Sequence, residues 1–263
     1  MKRILALFAL ATALTGCGLF PDKMDETTGW SASKLYATAK ESLTEGNYAE
    51  AVKYFEKLEA RHPYGPYAQQ AQLEIAYAYY KDGEPVSAIA ACDRFIKLHP
   101  NHPHVDYAYY LKGLANFVED RSLLASLGNQ DMSERDPRAA RESFDAFKEL
   151  ANRFPQSKYT PDALARMTYL VNALAAHEVH VAQYYYKRGA YIAAANRGKY
   201  VIEHYRQAPA VEEAMAIMAR SYDKLGMADL RDDSLRVLAQ NFPASPWLDL
   251  AKAKQEKPWY RFW

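Results

Sequence analysis

Glycine is scarce in this chain, 11 of 263 residues, and cysteine scarcer still at two. Few glycines beside abundant Ala, Leu, Glu, Lys and Arg favour helices. Two cysteines exclude a disulfide framework. Neither sign of charge dominates, with 33 basic and 32 acidic residues, so no basic excess exists to hold a phosphate backbone and nucleic acid is excluded as a partner. Site chemistry is also missing. No glycine-rich phosphate loop, nucleophile elbow or dinucleotide fingerprint occurs, and no catalytic residue, metal ligand or cofactor is assigned. His177-Glu178-Val179-His180 superficially resembles a zinc-protease helix, but its histidines lie three apart where that motif needs four, and exposed helix histidines are the plainer reading. His99, His102 and His104 cluster between prolines without a cysteine or carboxylate to complete a metal set, and read as turn histidines.

What is present begins with the leader. Lys2 and Arg3 precede an uncharged apolar stretch over residues 4–14, too short to span a bilayer and suited to a secretory signal peptide. It ends in Leu14-Thr15-Gly16-Cys17, which resembles the lipobox of bacterial lipoproteins. Cleavage before Cys17 would leave its thiol diacylated and its amine acylated, and several chains anchor stably where one is marginal. An ordinary signal peptide with a chance cysteine is the competing reading. Gly18 stands where the aspartate of inner-membrane retention would be, which implies the periplasmic face of the outer membrane. Loss of residues 1–16 removes Lys2 and Arg3 and leaves 31 basic and 32 acidic residues. Cys92 would then be the lone thiol in an oxidising compartment, expected to be buried and unpaired.

The body of the chain repeats. Gly46 leads to Ala51, Phe55, Leu58 and Pro63; Gly83 leads to Ala88, Cys92, Phe95 and Pro100; Gly226 leads to Leu235, Leu238 and Pro243. Glycine to proline spans 17 residues in all three. Weaker copies run through Ser143, Phe147, Leu150 and Pro155, and through Gly189, Tyr191, Ala194 and Val201. The glycine permits a tight turn between antiparallel helices, the small residue lets them approach, the apolar positions share one face, and the proline ends the second helix. The pattern resembles a divergent tetratricopeptide repeat and predicts an all-α helical-repeat superhelix of about five helix pairs. The expected pairs are 32–45 with 49–61, 67–82 with 86–98, 104–119 with 137–153, 161–187 with 190–205, and 211–225 with 228–240. A short cap follows Pro246, residues 119–136 read as an inserted loop, and the long 161–187 helix joins two halves. The expected divisions are a signal peptide at 1–16, a lipidated tether at 17–31, N-terminal repeats at 32–155, C-terminal repeats at 156–253 and an aromatic, basic tail at 254–263.

Two surfaces stand out for binding. Repeat register places Tyr36, Leu73, Tyr77 and Tyr80, then Tyr110, Leu114 and Phe117, on first helices facing a concave groove that suits an extended apolar peptide. Packing between repeats is the alternative for each of them. The second surface lies at Arg188, Asn196 and Arg197, where an arginine beside small residues either pairs with a partner carboxylate or makes a salt bridge within the repeat.

Several stretches resemble one family closely: Tyr36-Ala37-Thr38-Ala39, Gly46-Asn47, His62-Pro63-Tyr64-Gly65-Pro66-Tyr67, Tyr77-Ala78-Tyr79-Tyr80-Lys81 and Asp93-Arg94-Phe95-Ile96. Arg135-Asp136-Pro137, Tyr184-Tyr185 and Arg188-Gly189-Ala190 with Asn196-Arg197 continue the match. Together they resemble the BamD (formerly ComL) family, lipoproteins of the outer-membrane β-barrel assembly machinery. The resemblance implies a periplasm-facing outer-membrane protein that binds the POTRA domains of a BamA-like barrel subunit and companion Bam lipoproteins. It also implies recognition of C-terminal strands of unfolded outer-membrane proteins by the first two repeats, where Tyr64 joins the groove residues. By the same implication the Arg188, Asn196 and Arg197 stretch faces the POTRA partner. His62 departs from the family's usual aromatic, and the aromatic tail at 257–263 is unfamiliar there. The tail suits a membrane interface, a partner pocket or a solvent-exposed end. The alternative is another periplasmic tetratricopeptide adaptor, one coordinating envelope division or peptidoglycan work.

Overall fold

The computed structural model describes residues 25–117 and 137–248. The signal peptide, Cys17, the 119–136 loop and the 254–263 tail lie outside the described residues. Among those described, every regular element is helical. The helices are α1 Ala32–Thr44, α2 Tyr48–Arg61, α3 Pro66–Lys81, α4 Pro85–Leu98, α5 Val105–Asn116, α6 Arg138–Arg153, α7 Thr160–Lys187, α8 Tyr191–His204, α9 Val211–Lys224 and α10 Ala228–Asn241. Each odd-numbered helix pairs with the even one after it, as the repeat predicts.

The punctuation has a local cause at both ends of the second helices. Gly46, Gly83, Gly189 and Gly226 open them at φ between +72° and +83°, a left-handed turn that costs other residues energy. A ring-bearing residue closes them: His62, His99, Phe154, Tyr205 and Phe242 sit at the C-caps, and each backbone N–H donates to the carbonyl four residues back. Proline follows four of the five rings, and the residue before a proline is pushed out of the helical region.

Each helix contacts its chain neighbours, and α1 touches α3, α3 touches α5 and α7 touches α9. No two even-numbered helices meet to that degree among the described residues. The odd helices therefore line the inner side of the array and the even helices its outer side. Phe55, Phe95 and Phe147 are fully buried, one in each of the first three pairs, and such burial contributes about 1.5–3 kcal/mol per ring. Helix α7 belongs to two cores. Its Ala163 and Leu170 pack with Phe147 and Leu150, whereas Ala175, Val179 and Ala182 pack with Val201, Ala214 and Leu238. Cys92 is buried and unpaired, and burial pushes its thiol up to about 12.

One boundary needs correction. Residues 25–31 were expected to belong to the tether, yet they dock on the first repeat. Asp25 accepts a 2.7 Å hydrogen bond from Lys57 Nζ and pairs with Arg61. Thr27 is buried, Trp30 stacks on Tyr54 at 6.2 Å between ring centroids, and Ser31 caps α1 by accepting from the Lys34 N–H. These residues lack periodicity because side-chain contacts hold them, and periodicity is a signal of regular structure only.

Candidate protein-interaction sites

The inner side carries a connected aromatic wall. Tyr36 on α1 sets its ring 5.6 Å from Phe55 and 5.5 Å from Tyr67, and its hydroxyl donates to Glu74 Oε1 at 3.3 Å. Lys40 meets the same carboxylate oxygen at 2.9 Å. Tyr110 on α5 stacks on Tyr159 at 4.8 Å and donates to Asp162 Oδ2 at 2.7 Å, where Arg166 also pairs at 2.6 Å. Burial and then the carboxylate neighbour raise the Tyr36 and Tyr110 hydroxyls, the latter to about 12, so both remain protonated donors at neutral pH. Tyr107, 5.3 Å from Tyr159, links this segment toward Tyr77.

The predicted groove residues divide. Tyr36, Tyr77, Tyr80 and Tyr110 are half-buried, with an edge toward solvent. Tyr64 is 93% exposed in the turn before α3. Leu73 does not line the groove: it is buried in the core with Phe95, Val105 and Phe147, because its face of α3 turns toward the next repeat. Tyr107 and Tyr159 were missed, although the tyrosine spacing on α5 could have found the first.

The outer side carries a different arrangement. Glu178 on α7 is almost fully enclosed, its side chain 3% accessible, between two arginines from consecutive outer helices. Arg197 Nη1 on α8 donates to Oε2 at 2.8 Å, and Arg141 Nη2 on α6 donates to Oε1 at 3.3 Å. The two arginine side chains stay about half-exposed, Arg197 at 44% and Arg141 at 50%. A buried carboxylate is tolerated only when paired, and here two cations satisfy it. The pairing within the repeat considered for Arg197 therefore exists, and it leaves the side chain about half-exposed.

Asn196 is exposed beside Arg197. Arg188, the C-cap of α7, leans over the Tyr184 ring at 5.3 Å. It stands ten residues along α7 from Glu178, about 15 Å at the helical rise, so Arg188 lies apart from the Arg197–Glu178 pair. His180 is exposed and His177 half-buried; the residue of consequence in that stretch is the glutamate between them. The turn histidines are engaged locally: His99 Nε2 meets Gln72 Oε1 at 2.9 Å, and His102 Nδ1 accepts the His104 N–H at 3.1 Å.

Comparison with known proteins places these surfaces in context. A family model described as an outer membrane lipoprotein (YfiO) matches residues 29–238. The chain is 50% identical to the outer membrane protein assembly factor BamD of Neisseria meningitidis serogroup A over 266 residues, covering 100% of both chains. BamD of Xylella fastidiosa strain Temecula1 is 39% identical over 245 residues, covering 93% of this chain and 82% of that one. Among solved structures, the P58(IPK) TPR domain aligns at 13% identity and a TM-score of 0.40, covering 84% of this chain and 54% of that one. At that distance the fold rests on the helix pairs seen directly.

Proposed function

The chain belongs to the outer membrane lipoprotein family that includes the BamD assembly factors, and from that premise we propose that it is a non-catalytic scaffold joining a BamA-like barrel subunit to unfolded outer-membrane proteins. The outer face at Arg188, Asn196 and Arg197 binds the POTRA domains. The inner wall of Tyr36, Tyr77, Tyr80 and Tyr110, with Tyr64 at its rim, receives the substrate strand. Companion Bam lipoproteins complete the assembly, and a lipid on Cys17 holds the chain to the periplasmic face of the outer membrane. Among the described residues no helix is long and apolar enough to cross a membrane, so membrane attachment through that residue is in keeping with the helices.

The observation that carries the partner reading is Arg197, half-exposed while its other side is held by a buried carboxylate. A guanidinium already fixed on one edge loses less freedom when it pairs on the other, which favours a partner acid. The inner wall supports the substrate reading differently: half-buried tyrosines give apolar area with a polar handle, the surface an extended apolar strand needs.

The test is a pull-down from detergent-solubilised envelope with native protein, Arg197→Ala and Arg197→Glu. Native protein should retain a large barrel protein carrying POTRA domains, and the charge reversal should release it. Absence of such a protein from the native pull-down would refute the assembly reading. Equal retention by all three forms would move the contact elsewhere.

A further inference from the structure

The Glu178 cluster links two outer helices that make no extensive contact with each other among the described residues. Arg141 belongs to the third pair and Arg197 to the fourth, and they converge on the two oxygens of one buried carboxylate. Each arginine commits one nitrogen there and is about half-exposed; a guanidinium carries five N–H donors in a planar fork. Among the described residues neither meets a second carboxylate. The cluster therefore holds one net positive charge, with two forks meeting at one carboxylate. Its neighbours add little, because Arg138 pairs with Glu142 and Lys199 lies 3.6 Å from Glu203. One net positive charge framed by two forks suits a single carboxylate, where a phosphate backbone would call for an extended basic surface.

Resting on the reading that Arg197 meets the barrel subunit, we propose that Arg141 and Arg197 form one two-armed receptor for a single acidic side chain of that partner, with Glu178 as the positioning residue that holds the arms. The partner carboxylate enters between the arms and takes the N–H groups that Glu178 leaves unused. The site thus spans two repeats, and the pitch between them sets the spacing of the arms.

Glu178 gives the proposal a discriminating readout. If it merely offset charge, its neutralisation would make the site more positive and tighten an acidic partner. If it positions the arms, the same change loosens binding although Coulomb attraction has risen. The experiment measures affinity of the full-length chain for the full-length barrel subunit in detergent, across a salt series, with thermal melts of each variant. Arg197→Glu, Arg141→Glu, the two reversals combined, Arg141→Gln and Glu178→Gln are compared with native protein. Either charge reversal should weaken binding at least tenfold, and the double reversal should fall well short of the product of the two, because both act on one carboxylate. Arg141→Gln should flatten the salt dependence of binding at a temperature where its melt shows it folded, which a purely structural arginine would not do. Glu178→Gln should weaken binding.

Native affinity and salt dependence in the Arg141 variants, with Arg197→Glu impaired, would overturn the two-armed receptor and leave the Arg197 contact standing. Tighter binding by Glu178→Gln would overturn the positioning role. Native affinity in every variant, Arg197→Glu included, would refute the underlying partner reading as well.

Discussion

Glu178 illustrates what a residue's surroundings can hide. In sequence it is one acidic residue among many at helical spacing, indistinguishable from a solvated face. Its partners lie 37 residues upstream and 19 downstream, and only the stacking of three helices brings them together. Arg197 stood out in the sequence, because the stretch that contains it resembles a family motif; Arg141, which lies outside every such stretch, did not. A different residue tests the packing itself. Gly113 faces the Phe147 ring so closely that an added Cβ would lie 2.4 Å from Cε1, and Ser143 Oγ donates to the Gly113 carbonyl at 2.9 Å across the same contact. Gly113→Ala must push the ring or part α5 from α6, and overpacking of this kind costs about 1–3 kcal/mol. Chemical denaturation should show a lower midpoint at unchanged slope; native stability would mean that the ring can move aside without cost.

At the scale of elements, the helix pairs were legible nearly to the residue because a turn glycine, an apolar face and a proline stop agreed, with at least two of the three present in each pair. Leu73 shows where register misleads. A repeat tells which residues are equivalent, and it does not say whether an equivalent position faces a groove or the neighbouring repeat. The segment before α1 was illegible for the opposite reason, being held by side chains with no period. Its clamp depends on pH. Hydrogen bonds from Lys57 and then Thr27 hold the Asp25 carboxyl well below the usual carboxylate range. A depressed value in the folded state stabilises at any pH above the ordinary one, and that contribution fades as pH falls below about 4. Emission from Trp30, which stacks on Tyr54, should report release of this segment on acidification, with Trp30→Phe as the control. Asp25→Asn should show the released signal already at neutral pH, and a native signal there would show that the ion pairs do not hold the segment.

Over the whole molecule, α7 decides whether the array behaves as one body. Its 28 residues serve the core around Phe147 at one end and the core around Val201 at the other, so strain in either half is felt across the helix. Thr168 is exposed on α7 just before Leu170, within the stretch that serves the Phe147 core. Thr168→Pro removes a helical hydrogen bond and kinks the chain at about 3 kcal/mol, and it should split a single thermal transition into two. A single transition at reduced temperature would instead mean that the halves are coupled by contacts other than α7.

The central claim is that this scaffold serves the assembly of β-barrels in the outer membrane, and conditional depletion of the protein tests it most directly. The amount of folded barrel proteins in the outer membrane is measured as the protein disappears. The account predicts that barrels are lost before growth stops, and that Arg197→Glu fails to restore them while native protein does. Normal barrel levels alongside a septation defect would contradict it and favour a division adaptor built on the same repeats.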